Sequence, residues 1–153
     1  MSKTLVIGLG NPLMGDEGIG NTLVAELAKN PISPDIEYLD LGTSNFNVLH
    51  VVSNKQKVIF IDCAFMGCEP GTIRKFKPSD VKTVKKTDAL SMHSGDLFHV
   101  LELSALLGEC PKEIIIFGIE PAEIMPGEGL SSVLSSNILL YLHEINAELV
   151  RAC

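Results

Sequence analysis

The chain has 153 residues, which corresponds to a single domain spanning residues 1–153. Its 12 Lys and Arg residues against 19 Asp and Glu residues give a net charge of −7, so neither nucleic acid nor an anionic membrane is an expected partner. Apolar side chains make up 46% of the sequence, which is enough for a sizeable core and excludes intrinsic disorder.

Five short runs predict β-strands. The run Lys57–Asp62 is apolar at its four inner positions, which is typical of a central strand buried on both faces. The run Thr72–Phe76 has polar residues at alternate positions after a Pro-Gly turn and is predicted as an antiparallel edge strand. The five predicted strands are Thr4–Leu9, Ile36–Leu41, Lys57–Asp62, Thr72–Phe76 and Glu113–Ile119.

Helical spacing of apolar residues separates most of these runs. The predicted helices are Glu17–Lys29, Phe46–Val52, Ser94–Leu107 and a long C-terminal helix with apolar residues from Leu134 to Leu149. Apolar strands that alternate with helices predict an α/β fold, with a parallel or mixed sheet covered by helices on both faces. Ligands of such open sheets bind beyond the carboxyl ends of the strands, so the candidate site is sought there.

A glycine-rich segment, Gly8–Gly20, follows the first predicted strand. It lacks the third glycine of a dinucleotide fingerprint, because Leu13 stands at that position, and it lacks the Gly-Lys-Ser/Thr of a P-loop. We interpret the glycines as shaping a turn that brings Asp16 and Glu17 to the start of a helix. There the two acids either cap the helix or belong to a site.

Two further acids follow predicted strands. Asp40 comes at the end of the second strand and Asp62 at the end of the third. An Asp that closes an apolar central strand is costly to bury without a partner. It therefore either caps a nearby turn or serves as a metal ligand or an acid or base.

One histidine, His93, stands in a predicted loop before a helix, where it is either a surface residue or a ligand. Together with Glu17 and Asp62 it forms a candidate metal site of two carboxylates and one imidazole. Three protein ligands leave room for water or substrate, and this donor set suits nickel, zinc, iron or manganese. A cation there would polarise a peptide carbonyl and lower the pKa of water.

The four cysteines form neither a CxxC pair nor a zinc-finger pattern. We interpret them as small buried apolar residues and a terminal thiol, with Cys63 and Cys68 as soft metal ligands being the alternative. No signal peptide and no run long enough to span a membrane is recognised, and we therefore expect a cytoplasmic protein.

The sequence resembles the nickel–iron hydrogenase maturation endopeptidases. The matching blocks run in order along nearly the whole chain: GNPLMGDEGIG at Gly10–Gly20, LDLGTS at Leu39–Ser44, IDCAFMGCEPGTI at Ile61–Ile73, the isolated His93 followed by Leu97 and Leu101, FGIEP at Phe117–Pro121 and GEGLSSVL at Gly127–Leu134. The resemblance implies a three-layer α/β/α sandwich with a mixed, mostly parallel sheet of about five strands. It also implies an endopeptidase that removes the C-terminal extension of a hydrogenase large-subunit precursor after nickel insertion.

The resemblance also implies roles for individual residues. Glu17, Asp62 and His93 match the metal-contacting and catalytic positions, and Asp16 matches a companion acid. The substrate-binding positions that it implies are Asp40, Gly42 and Thr43. Nickel is expected to be presented by the substrate rather than held permanently, in a site that acts as a carboxylate or metal-dependent protease. We expect a monomer.

One departure and two alternatives accompany this resemblance. Many members carry Gln where this chain has Glu120, which either adds a carboxylate near the site or caps the last loop; we favour the cap. Peptidyl-tRNA hydrolases also begin with a strand and GLGNP, here Gly8–Pro12, but this chain has no His before Asn21 and is acidic. A non-enzymatic nickel or protein-binding maturation factor would keep the same ligands, because a metal site alone does not prove hydrolysis.

Overall fold

The computed structural model describes residues 4–44, 46–80, 91–92 and 95–151. Within these residues the strands β1–β6 are Thr4–Leu9, Ile36–Gly42, Lys57–Phe65, Ile73–Phe76, Ser91–Met92 and Glu113–Ile119. The helices α1–α5 are Ile19–Lys29, Phe46–Val52, Gly95–Leu106, Ser132–Ser135 and Ile138–Arg151. A 3₁₀ turn, Gly15–Gly18, precedes α1.

The sheet has the strand order β2-β1-β3-β6-β4. Neighbouring strands are parallel between β2, β1, β3 and β6, whereas β4 runs antiparallel to β6 at the edge. The central position of β3 and the antiparallel edge strand are both confirmed. The short strand β5 lies off this order and pairs antiparallel with the end of β3, through Ala64–Met92 and Phe65–Ser91.

Two apolar clusters lie on opposite faces of the sheet. Successive residues of a strand point to opposite faces, so Val6 of β1 joins one cluster and Leu5 joins the other. Residues of α1 and α5 complete the first cluster, and residues of α2 and α3 complete the second. The predicted three-layer α/β/α sandwich is therefore confirmed. None of the helices in the described ranges combines the length and apolar character needed to cross a membrane.

Two predicted boundaries were wrong. Strand β3 continues to Phe65 instead of ending at Asp62, because β5 and the last residues of β6 supply hydrogen-bonding partners to its end. The C-terminal helix is divided into α4 and α5 at positions 136–137. Polar side chains there compete for helix carbonyls: Ser136 Oγ and Asn137 Nδ2 both donate to the carbonyl of Val133, at 3.1 and 2.9 Å.

A buried ion pair joins the start of β3 to α5. Lys57 Nζ lies 2.7 Å from Glu148 Oε2, and the two side chains are only 7% and 4% exposed. The other Glu148 oxygen accepts from Lys75 Nζ at 2.9 Å. Burial acts to raise the pKa of Glu148, but the hydrogen bonds and charges of Lys57 and Lys75 outweigh it and hold that pKa below its usual value.

Candidate active site

The glycine-rich turn brings Glu17 to the carboxyl edge of the sheet. A Cβ atom on Gly20 would collide with the carbonyl oxygens of Leu9 and Ile61, so the start of α1 packs directly on the ends of β1 and the central strand. Only glycine permits this close approach. Glu17, in the turn that precedes α1, therefore lies close enough to Asp62 for its charge to affect the Asp62 carboxyl.

Asp62 is fully buried within β3. Its Oδ1 accepts a hydrogen bond from the backbone N–H of Cys63 at 2.8 Å, whereas its Oδ2 has no hydrogen-bond partner among the described residues. Burial raises the pKa of Asp62 well above its usual value; the Cys63 N–H acts in the opposite direction, and the negative charge of Glu17 raises it further. A buried carboxyl oxygen without a described partner is costly and marks a candidate functional group.

The third predicted ligand, His93, lies outside the described residues. The strand that directly precedes it, β5, pairs with Ala64 and Phe65, two and three residues beyond Asp62. In the described part of the chain, no three His, Cys, Asp or Glu side chains are arranged to hold a metal ion. The set of Glu17, Asp62 and His93 therefore stays a prediction.

Asp16 has a different environment from its neighbour Glu17. Its buried carboxylate accepts three backbone hydrogen bonds, from Ala122 and Glu123 to Oδ2 at 2.8 and 2.9 Å and from Ser131 to Oδ1 at 2.7 Å. Burial acts to raise the pKa of Asp16, but these hydrogen bonds outweigh it and lower that pKa. The carboxylate thus holds the loop 121–131 in place beside the turn that carries Glu17.

Replacing Asp16 with Asn is expected to destabilise the fold by about 1.5–3 kcal/mol at pH 7, because Asn has one acceptor oxygen where Asp16 uses two. Folding lowers the pKa of Asp16, so the stabilisation of the fold by its carboxylate is fully present at pH values above the ordinary pKa of 3.8. This stabilisation is lost as the pH falls through the lower pKa of the folded state. Urea unfolding of the wild-type protein and of Asp16→Asn at pH 7 and near pH 3 measures this loss. The difference in unfolding free energy between the two proteins should be smaller at the lower pH. A constant difference would contradict the assignment.

The predicted substrate-binding positions lie at the end of β2. Asp40 Oδ1 accepts from Asn21 Nδ2 at 2.7 Å and from the backbone N–H of Gly42 at 3.0 Å. Gly42 adopts a left-handed conformation, with φ of 57°, and its carbonyl accepts from the Gly10 N–H at 2.9 Å. Thr43 follows as an exposed residue. Because β2 is parallel to β1, these residues lie at the same sheet edge as Glu17.

Asn21 is a site-supporting residue that the sequence analysis missed. It is buried in the first turn of α1, and its hydrogen bond to Asp40 connects this helix to β2. A polar side chain at an otherwise apolar helix position was the signal that could have identified it.

Glu120 caps a loop, which agrees with the interpretation we favoured. The capped loop is the one that follows β3, however, and not the last loop. Its Oε1 accepts from the backbone N–H groups of Met66 and Cys68 at 2.7 and 3.0 Å. A glutamine oxygen can accept the same two bonds, so Gln at this position would keep the cap.

The cysteines only partly follow their prediction. Cys63 is buried, and its thiol pKa is raised by burial and by the neighbouring Asp62 charge, which disfavours the thiolate that a metal would need. Cys68 is half-buried, Cys110 is exposed, and all three thiols are free.

A family model described as hydrogenase maturation protease matches residues 21–148. Among curated relatives, a hydrogenase 2 maturation protease from Escherichia coli K12 is 32% identical over 149 residues, which cover 96% of this chain and 90% of that protein. The HupD hydrogenase expression/formation proteins of Bradyrhizobium diazoefficiens and Thiocapsa roseopersicina are 29% and 31% identical over 80% of this chain. The chain spans only 65% and 56% of their respective lengths.

Solved structures agree with this assignment. The hydrogenase maturating endopeptidase HybD from E. coli superposes with a TM-score of 0.86 at 30% identity, covering 99% of this chain and 94% of that one. A hydrogenase 2 maturation peptidase from Thaumarchaeota archaeon SCGC_AB-539-E09 has a TM-score of 0.74 at 25% identity, covering 97% and 98%. The family match over most of the chain, with these likenesses, shows that the chain belongs to the hydrogenase maturation protease family.

Proposed function

We propose that this protein is an endopeptidase that removes the C-terminal extension of a nickel–iron hydrogenase large-subunit precursor after nickel insertion. The observation that carries the proposal is the buried Asp62 carboxyl, with one oxygen unpartnered among the described residues, beside Glu17 at the carboxyl edge of the sheet. Two of the similar proteins, a hydrogenase 2 maturation protease and a hydrogenase maturating endopeptidase, support the same activity.

Nickel enters this proposal as part of the substrate. The unpartnered Asp62 oxygen and the half-buried Glu17 carboxylate are oxygen donors close enough for their charges to interact, which fits contact with a divalent cation. His93 would complete the contacts on the grounds of the resemblance. A nickel ion held jointly by precursor and protease would place the scissile bond beside the two carboxylates.

The two carboxylates suit hydrolysis because their environments differ. Glu17 is half-buried and reachable by water, whereas Asp62 is fully buried. Glu17 takes a proton from the attacking water while that water adds to the scissile carbonyl, and the proton then passes to the leaving amine. Asp62 orients the precursor at the buried side of the site. Direct attack by a carboxylate on the carbonyl is the competing route.

Incubation with nickel-loaded and nickel-free precursors, followed by mass measurement, tests the function. We expect the nickel-loaded precursor to lose a C-terminal peptide and the nickel-free precursor to stay intact. Equal cleavage of both forms would contradict recognition through nickel. An unchanged mass in both, together with complex formation, would instead identify a non-enzymatic nickel or protein-binding factor.

A further inference from the structure

Two loops beside the candidate active site form one connected unit, here called the paired loops, residues 10–18 and 121–131. The Gly127 N–H donates to the Leu13 carbonyl at 2.8 Å, and the Gly15 N–H donates to the Gly127 carbonyl at 3.0 Å. The Asp16 N–H donates to the Glu123 carbonyl at 3.0 Å. With the three hydrogen bonds that the Asp16 carboxylate accepts, these contacts fix the two backbones relative to each other.

The paired loops nevertheless expose two large apolar side chains. Ile124 and Leu130 pack against the core cluster, which anchors the second loop. Leu13 and Met125, in contrast, are 58% and 55% exposed. Single exposed apolar residues are common on protein surfaces. Leu13 and Met125 differ because hydrogen bonds between the two loops hold the backbone around both residues in place. A surface that is already ordered loses little conformational entropy when a partner binds, which favours recognition there.

The charge of the paired loops is entirely acidic. They contain Asp16, Glu17, Glu123 and Glu128 and no Lys or Arg. Asp16 is buried and used within the fold, whereas Glu123 and Glu128 are exposed. A partner segment that carries basic side chains is therefore favoured over an acidic one.

The paired loops are also joined to the candidate catalytic turn. Met14 forms a parallel bridge with Gly127, and its carbonyl accepts from the Glu17 N–H at 3.3 Å. These backbone contacts join the paired loops to the turn that carries Glu17, so a segment bound to them is near the candidate catalytic turn.

We propose that Leu13 and Met125 form a docking ledge for an extended segment of the client polypeptide, one that combines apolar and basic side chains next to the cleaved bond. This rests on the proposed endopeptidase function and adds a determinant of substrate selection to it. The apolar contacts supply affinity, and Glu123 and Glu128 attract the basic side chains.

The test compares cleavage kinetics of the nickel-loaded precursor. In the double variant Leu13→Ser/Met125→Ser we expect KM to rise by about 10- to 100-fold with kcat nearly unchanged, since each apolar contact contributes up to about a tenfold change in affinity. The conservative double variant Leu13→Met/Met125→Leu keeps both side chains apolar and should have a KM close to the wild-type value. Leu139→Ser is the matched control, because Leu139 is 82% exposed on α5.

A second arm tests the charge. Glu123→Gln/Glu128→Gln should raise KM at low ionic strength and approach the wild-type value at high salt. An unchanged KM in both the apolar and the acidic variants, or the same rise in Leu139→Ser, would overturn the docking ledge while leaving the endopeptidase intact. Wild-type protein that cleaves no precursor would overturn the proposed function itself, so the two failures are distinguishable.

Discussion

Asp62→Asn is expected to lower the cleavage rate of a nickel-loaded precursor by about 100-fold or more without loss of stability. Asp62 orients the precursor, and a misplacement of the reacting groups by about 1 Å costs a factor of this size. Asn keeps the oxygen that accepts from the Cys63 N–H and removes the charge that burial already disfavours. The melting temperature should therefore stay the same or rise while activity is lost. Glu17→Gln should lose activity to a similar degree.

Peptide release measured by mass spectrometry, together with thermal unfolding of the same samples, checks this expectation. Asp35→Asn is the control, because it makes the same chemical change at an exposed turn residue. A wild-type cleavage rate in Asp62→Asn or Glu17→Gln would refute the proposed roles. Loss of activity accompanied by a large fall in melting temperature would assign Asp62 a structural role only.

Glu148→Ala is expected to reduce the free energy of unfolding by about 3–5 kcal/mol, because it leaves the buried Lys57 ammonium without its main partner. For a chain of this size, that loss lowers the melting temperature by roughly 6–20 °C. Another acidic neighbour, Glu113, has its Oε1 at 3.4 Å from Lys57 Nζ, but it is half-exposed and compensates only in part.

Glu26→Ala provides a matched control for burial. The Lys29–Glu26 pair has nearly the same separation, 2.8 Å, but its side chains are 66% and 39% exposed. Such a pair contributes about 0–1 kcal/mol. The free energies of unfolding measured in urea should differ clearly between Glu148→Ala and Glu26→Ala. Equal losses of unfolding free energy would contradict the effect of burial. The double variant Lys57→Met/Glu148→Leu should recover most of the stability, because it removes both buried charges together.

The strand and helix cores could be predicted because apolar periodicity is a local property of the chain. The ends could not, because they depend on distant partners. Strand β3 extends past Asp62 because Ile119 of β6 and then Met92 and Ser91 of β5 pair with its end. The division between α4 and α5 depends on serine and asparagine side chains that bond back to the helix carbonyls.

The same distinction holds for the site. Sequence by itself placed Glu17, Asp40 and Asp62 at the carboxyl edge of a parallel sheet, because strand order along the chain and the apolar pattern are enough to define that edge. Only the tertiary structure decided how the acids divide their roles. The Asp16 carboxylate is occupied by backbone N–H groups that lie 106–115 positions away in the chain, whereas Asp62 retains an oxygen without a described partner. Which carboxylate has all its hydrogen bonds depends on donors that folding brings together from distant parts of the chain. The residues next to each acid in the sequence therefore cannot predict it.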